Sequence, residues 1–281
     1  MGFRSPADSS CRSHTAADIG SDGEEYNELN QTLRLMDARC STRVYADAPI
    51  TDAEKQAILH ATFRAPTGGN MMLYTIIDIA DQTIKDRLAV TCDDQPFIAR
   101  APWVLVFVAD FQKWMDLFDY ADVAALGLPY RAPGVGDLML ACCDALIAAQ
   151  NAVIAAESLG IGSCYIGDVL ENAEEHIELL GLPPHTLPIA MLCFGRPLAQ
   201  RRRASRQTAH MVHTDRYRRL TEADLAEVSA ELEREHAPHG NKPGFSNHVQ
   251  AIYQRKYASE FMAEMNRSVE LWMKRWQTPA T

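Results

Sequence analysis

The sequence predicts an α+β protein of four or five strands with a buried central helix and a C-terminal helical arm. Three observations lead there. Short runs rich in β-branched and aromatic residues, Leu73–Ile79, Trp103–Val108, Ser163–Ile166 and Leu187–Phe194, read as strands. Gly136–Leu159 is apolar nearly all round and full of alanine, the pattern of one long helix with no face suited to water. After Gly195 the chain turns polar, with Arg201–Arg203 and then acidic and Met/Trp-bearing helical stretches.

In chain order, residues 1–25 lack the apolar content to offset chain entropy and read as a flexible extension. A first helix is expected over Tyr26–Ala38. A second starts at Thr51, with Glu54 three residues on in capping-box spacing. It ends in the loop Arg64–Asn70. Trp103–Val108 is apolar on both faces, as a central strand in a covered sheet requires. The long helix Gly136–Leu159 belongs at the centre of a domain or at a subunit interface. An amphipathic helix, Asn172–Leu180, precedes the Leu187–Phe194 strand. An acidic helix over Glu222–Glu235, a Pro/Gly linker over His236–Gly244 and a final helix over His248–Trp276 complete the reading. The implied division is 1–25, a main domain over 26–220 and a C-terminal helical extension over 221–281.

Composition narrows the function. With 27 Lys+Arg against 37 Asp+Glu the formal net charge is −10, which disfavours nucleic acid and anionic membrane surfaces as main partners. The longest apolar stretch, Leu138–Ile161, is interrupted by Asp144, Gln150, Asn151 and Glu157, so a buried helix is expected rather than a membrane span. Residues 1–32 have no apolar secretory core, and Pro6 stands where a myristoylation pattern needs Ser or Thr. Seven cysteines without a C-x-x-C pair suit free thiols in a reducing cytoplasm. His210/His213 and His236/His239 lack a third ligand at metal-site spacing, so no metal is expected. Neither a Gly-x-Ser-x-Gly nor a P-loop pattern occurs.

Three segments can carry chemistry. In Arg39-Cys-Ser-Thr-Arg43, extended spacing puts Arg39, Ser41 and Arg43 on one face. Two guanidiniums around a hydroxyl suit a phosphate, although a solvated basic loop has the same pattern. In Ala65-Pro-Thr-Gly-Gly-Asn70, Pro66 and the glycines let backbone approach a ligand, and the Asn70 amide offers donor and acceptor to a heterocycle edge. A plain helix-terminating loop is the alternative. Gly160 and Gly162 follow a helix and precede a strand, the reverse of a dinucleotide fingerprint, which rules out a Rossmann reading. Gly167, at the end of that strand, can present a backbone N–H. Asp144 and Glu157 in the long helix read as satisfied core polar groups or interface contacts.

Taken together, Arg39–Arg43, Ala65–Asn70, Ala155–Gly162, Phe194-Gly-Arg-Pro197 and Arg206 resemble, in order and spacing, the FMN-dependent nitroreductase family over about residues 37–217. The tail segments Tyr253–Tyr257 and Met265–Val269 resemble the extended C-terminus of some members. The resemblance implies an α+β fold with a central, mostly antiparallel sheet flanked by helices, and a homodimer with two shared FMN sites, the long helix at the interface and an extended C-terminal helical arm. It implies that Arg39 and Ser41 hold the FMN phosphate and ribityl chain, that Arg206 adds a phosphate contact, and that Arg43 lies near the pyrimidine end of the flavin. Pro66, Thr67 and Asn70 are expected along the ring, with the Ile166-Gly167 backbone near its reactive edge. Cys40 and Met72 occupy further cofactor-contact positions. Cys40 replaces a second basic residue, and Met72 and Tyr74 stand where many members have Gln and Trp. The implied activity is ping-pong hydride transfer from NADH or NADPH through FMN to nitroaromatics, quinones or related electron-poor acceptors. No side chain serves as nucleophile or general base. A flavin-storage or regulatory protein, and a dehalogenase-like or flavin-fragmenting enzyme with residues 111–135 as a lid, are the alternatives.

Overall fold

The computed structural model describes residues 30–199, 206–236 and 244–278. The expected extension over 1–25, Arg201–Arg203 and most of the Pro/Gly linker lie outside them. Contacts divide the chain into two compact units, Leu35–Arg203 with Arg255–Thr281, and Met1–Arg34 with Ala204–Gln254.

The larger unit is built on four antiparallel strands, β1 (Tyr74–Asp78), β2 (Trp103–Asp110), β3 (Gly162–Ile166) and β4 (Thr186–Gly195), in the order β1-β2-β4-β3. Every residue of β2 is buried, as its uniformly apolar sequence requires. Its side chains alternate between two cores. Val104, Val106 and Val108 face one side, and Trp103, Leu105 and Phe107 the other.

The second core is closed by α2 (Asp52–Thr62) and α6 (Val135–Ser158). Thr51 caps α2 as its sequence predicts: the Thr51 hydroxyl accepts from Glu54 N, and the Glu54 carboxylate accepts from Thr51 N at 2.9 Å. That backbone bond, then the Arg196 guanidinium, hold the Glu54 carboxyl down to about 2. The long helix α6 starts where Gly134 N donates to the Asp137 carboxylate at 2.7 Å. It is long and apolar enough to cross a bilayer by composition, yet its alanine face packs inside the protein. Ala145, Ala148, Ala149, Ala152 and Ala156 are fully buried, which lets helix and sheet approach closely. Its other face carries Met139, Leu140, Cys143, Leu146 and Ile147 at helical spacing, all exposed in the single chain.

The first core is closed by α3 (Gln82–Thr91), α4 (Pro96–Ala99), α7 (Ala173–Leu179) and α10 (Glu260–Gln277). Trp272 and Trp276 of α10 are fully buried, and their indole N–H groups donate to Leu170 O at 3.0 Å and Gly134 O at 3.1 Å. A further helix, α5 (Gln112–Tyr120), follows β2 directly.

One helix expectation is corrected. The final helix is not continuous from His248: it is a short helix α9 (His248–Ile252), a π-helical turn Tyr253–Tyr257 and then α10. Ser259 restarts it, its hydroxyl accepting from Met262 N. Of the first helix expected over Tyr26–Ala38, residues 26–29 lie outside the described residues; α1 spans Gln31–Ala38, with Asn30 before it, its Oδ1 accepting from Leu33 N at 3.0 Å. In the smaller unit α8 (Glu222–His236) packs with α9, where His248 N donates to Glu233. The six described cysteines are all free thiols.

Candidate functional site

Residues 39–46 leave α1 and cross the open end of β3 and β4. Ser41 bridges to Ser163, Thr42 N donates to Ser163 O at 2.9 Å, and Tyr45 bridges to Pro197. Ala46 N donates to Arg196 O at 2.8 Å. This course depends on two glycines that are register partners, Gly162 and Gly195. A Cβ on Gly162 would come within 2.8 Å of Thr42 Cβ, and one on Gly195 within 2.9 Å of Tyr45 Cγ and Pro102 Cδ. Real side chains do not approach so closely, so the glycines are the space the segment occupies. Thr42 is buried beneath it while Arg43 is exposed, and Arg39, Cys40 and Ser41 are half-buried. Burial along the segment does not alternate residue by residue: Arg39, Cys40 and Ser41 share one degree of burial, and Thr42 and Tyr45, three apart, are the residues that meet the glycine pair.

The electrostatics of this segment are cationic. Among the described residues neither Arg39 nor Arg43 makes an ion pair with a carboxylate. The Arg43 guanidinium lies 5.7 Å from the centroid of the Phe97 ring. Burial pushes the Cys164 thiol up, and the neighbouring Arg43, Ser41 and Arg39 oppose it. Burial likewise raises the Glu157 carboxyl against the pull of Arg39. Three buried polar atoms around the segment, Tyr45 Oη, Glu157 Oε1 and Ser163 Oγ, have no hydrogen-bond partner among the described residues. Such atoms are rare in folded proteins and call for a reason.

The second segment, Ala65–Leu73, follows α2. Gly69, Asn70 and Met72 all adopt left-handed backbone, with φ of 58°, 58° and 49°. Glycine and asparagine tolerate this region; methionine does so at a cost. Thr67 is half-buried, and its hydroxyl accepts from Met72 N at 2.8 Å across the turn. Pro66 and Asn70 are exposed. Asp144, on the buried face of α6, accepts from Gly68 N at 3.0 Å and Leu73 N at 3.1 Å. From α5, Trp114 Nε1 donates to Met71 O at 2.9 Å and Lys113 Nζ to Tyr74 O at 2.6 Å. The Lys113 ammonium also donates to Met72 O. Burial lowers its proton affinity, and Asp110 and Asp144 work against that. Asp144 is thus a satisfied core polar group, as expected. Its partners, and Lys113 and Trp114, carry no local sequence signal beyond a carboxylate inside an apolar helix.

The remaining candidates divide. The Ile166 side chain is buried in the core, leaving only its backbone for a ligand, whereas Gly167 is exposed with open space beside it. Ser163 and Gly167 are four strand steps apart, about 13 Å. Arg206 is exposed and belongs to the other compact unit. Among the described residues no group of three or more His, Cys, Asp or Glu side chains is arranged to hold a metal.

A four-stranded antiparallel sheet with an alanine-faced helix packed on one side and further helices on the other defines the class: an α+β protein, with a cationic segment at one strand end and a left-handed Gly/Asn loop as its candidate site. Residues 36–196 match the nitroreductase family, and the chain belongs to it. It is 32% identical over 225 residues to the oxygen-insensitive NADPH nitroreductase of Salmonella typhimurium, covering 79% of this chain and 90% of that protein. It is 29% identical over 241 residues to an FMN reductase [NAD(P)H] of Bacillus subtilis, covering 82% and 93%. Among solved structures, the NADPH:FMN oxidoreductase of Vibrio harveyi in complex with NAD+ superposes with a TM-score of 0.72 at 26% identity, covering 87% of this chain and 98% of that one.

Proposed function

We propose that the chain is an FMN-dependent NAD(P)H oxidoreductase that reduces nitroaromatic, quinone or related electron-poor acceptors. The observation that carries this reading is the Arg39–Arg43 segment seated on the Gly162/Gly195 pair, with two guanidiniums that make no ion pair with a carboxylate among the described residues. The donor set fits FMN. Arg39 and Ser41 supply charged and neutral donors for a phosphate, and Arg43 supplies positive charge toward the pyrimidine end. Cys40 offers no cation, so its contribution to the phosphate is its backbone N–H. Pro66, Thr67, Asn70 and Met72 would line the ring, with the Ile166-Gly167 backbone at its reactive edge.

When bound, FMN supplies two-electron chemistry, accepting hydride from NAD(P)H and passing it to the acceptor. The chain's task is to bind, orient and bias. Arg43 would favour negative charge on the pyrimidine end, Asn70 would hold the ring edge, and the open space beside exposed Gly167 would leave room for a second molecule.

The unit of function is a homodimer. Met139, Leu140, Cys143, Leu146 and Ile147 form an apolar stripe on α6 that a second copy would bury. Both copies would then contribute to each site. Free thiols and an acidic net charge suit the cytoplasm. The test is the visible spectrum of the protein purified without added cofactor, with mass identification of what denaturation releases. A yellow protein releasing FMN is expected; a colourless protein that does not take up FMN would contradict the reading.

A further inference from the structure

We propose that Asp144, Lys113 and Trp114 are positioning residues that hold Gly68–Met72 in its left-handed form and so fix where Asn70 meets the cofactor ring. The inference rests on the reading of this loop as the ring-side wall of an FMN site.

The loop is over-determined by groups that do not themselves reach outward. Each oxygen of the Asp144 carboxylate takes a different backbone N–H, Oδ1 that of Gly68 and Oδ2 that of Leu73. Those two residues bracket the left-handed trio Gly69, Asn70 and Met72. On the other side Trp114 Nε1 holds Met71 O, and Lys113 Nζ holds Met72 O and Tyr74 O. Thr67 closes the turn from within through Met72 N. Gly68, Met71, Met72, Leu73 and Tyr74 are therefore pinned from α6 and α5, on either side of Gly69 and Asn70. A methionine in left-handed backbone persists only where surrounding structure imposes it, and such positions concentrate where a fixed geometry is functional. Asn70 is held only through its backbone N–H, which donates to Thr67 O at 3.3 Å, and its side-chain amide makes no hydrogen bond among the described residues. Its exposed amide is aimed by its neighbours, and loss of a tether returns freedom to the amide.

The experiment uses the full-length chain loaded with FMN and four variants: Asp144→Asn, Lys113→Met, Trp114→Phe and, as reference, Arg39→Ala. Three quantities are read: FMN dissociation constant, visible absorption and circular dichroism of the bound flavin at saturation, and melting temperature without FMN. Trp114→Phe removes one N–H and keeps the ring packed on Phe118, so it folds even if the others are impaired. The expected result is a roughly fivefold to tenfold weakening of FMN binding for each loop variant, the scale of one hydrogen bond, with an altered bound-flavin spectrum. Arg39→Ala weakens FMN binding and leaves the bound spectrum as in the wild type. Loop variants with wild-type affinity and spectrum, or with weaker binding and an unaltered spectrum, overturn the positioning role. Wild-type FMN affinity in Arg39→Ala, or no FMN binding by the unaltered chain, instead overturns the reading on which the role rests.

Discussion

Residues 39–46 and residues 66–73 are both irregular segments, and the protein fixes them by opposite means. The first is placed by absence: Gly162 and Gly195 leave a trough across the strand ends, and backbone bonds to Ser163 and Arg196 run the segment along it. The second is placed by presence. Buried Asp144 and half-buried Lys113 and Trp114 reach into a strained turn and hold it by hydrogen bonds. The contrast fits the proposed tasks. A phosphate end needs cations on a firm base and tolerates a few ångströms of side-chain adjustment. A ring edge needs an amide at one orientation, which only a clamped backbone provides.

Filling the trough is the hardest blow to this arrangement. Gly195→Ala should cost about 3 kcal/mol in urea denaturation, at the upper end of overpacking, because Tyr45 and Pro102 both stand in the way. A loss under about 1 kcal/mol would mean the segment moves aside easily and is not fixed by the trough. Removing the clamp comes next. Asp144→Ala leaves two backbone N–H groups without their acceptor and should cost about 2 kcal/mol. Asp144→Asn, which keeps one acceptor oxygen, should cost visibly less. Loosening the support further back has a smaller effect: Thr51→Ala should lower stability by about 1 kcal/mol through the cap of α2, the helix that feeds the loop.

A pH titration sharpens the contrast without touching either segment. Glu171, past the end of β3, is pushed up to about 7 by burial and then by Asp168, Asp93 and Glu264. Its folded-state value lies above its unfolded one, so the folded state holds the proton more tightly. Its contribution is most favourable below about 4.5 and is lost as pH rises toward 7. Unfolding free energy should fall across that window and flatten in Glu171→Gln. An identical slope in the variant would remove Glu171 as its source.

The difference between the two segments also explains what the sequence reveals. Gly162 and Gly195 sit inside short recognisable runs, Leu-Gly-Ile-Gly162 and Phe-Gly-Arg-Pro197, so the trough is legible as motif spacing. Thr51 and Glu54 announce their helix because a capping box is local in sequence. The all-buried strand Trp103–Asp110 is legible for the same reason. The clamp is not, since Asp144 meets Gly68 and Leu73 across more than seventy residues, and Lys113 looks like an ordinary surface lysine on an amphipathic helix. The break before α10 escaped too: residues 248–259 contain no Pro or Gly to mark it, the Met and Trp pattern lies wholly after it, and the restart comes from the Ser259 cap.

The most direct test of the account is an anaerobic half-reaction. FMN-loaded protein is mixed with one equivalent of NADPH or NADH, and the visible flavin absorbance is followed before and after a quinone is added. The account predicts that the absorbance bleaches with the nicotinamide and returns with the quinone. Absorbance that persists with both donors would contradict it and leave a nitroreductase-fold protein that binds flavin without using it.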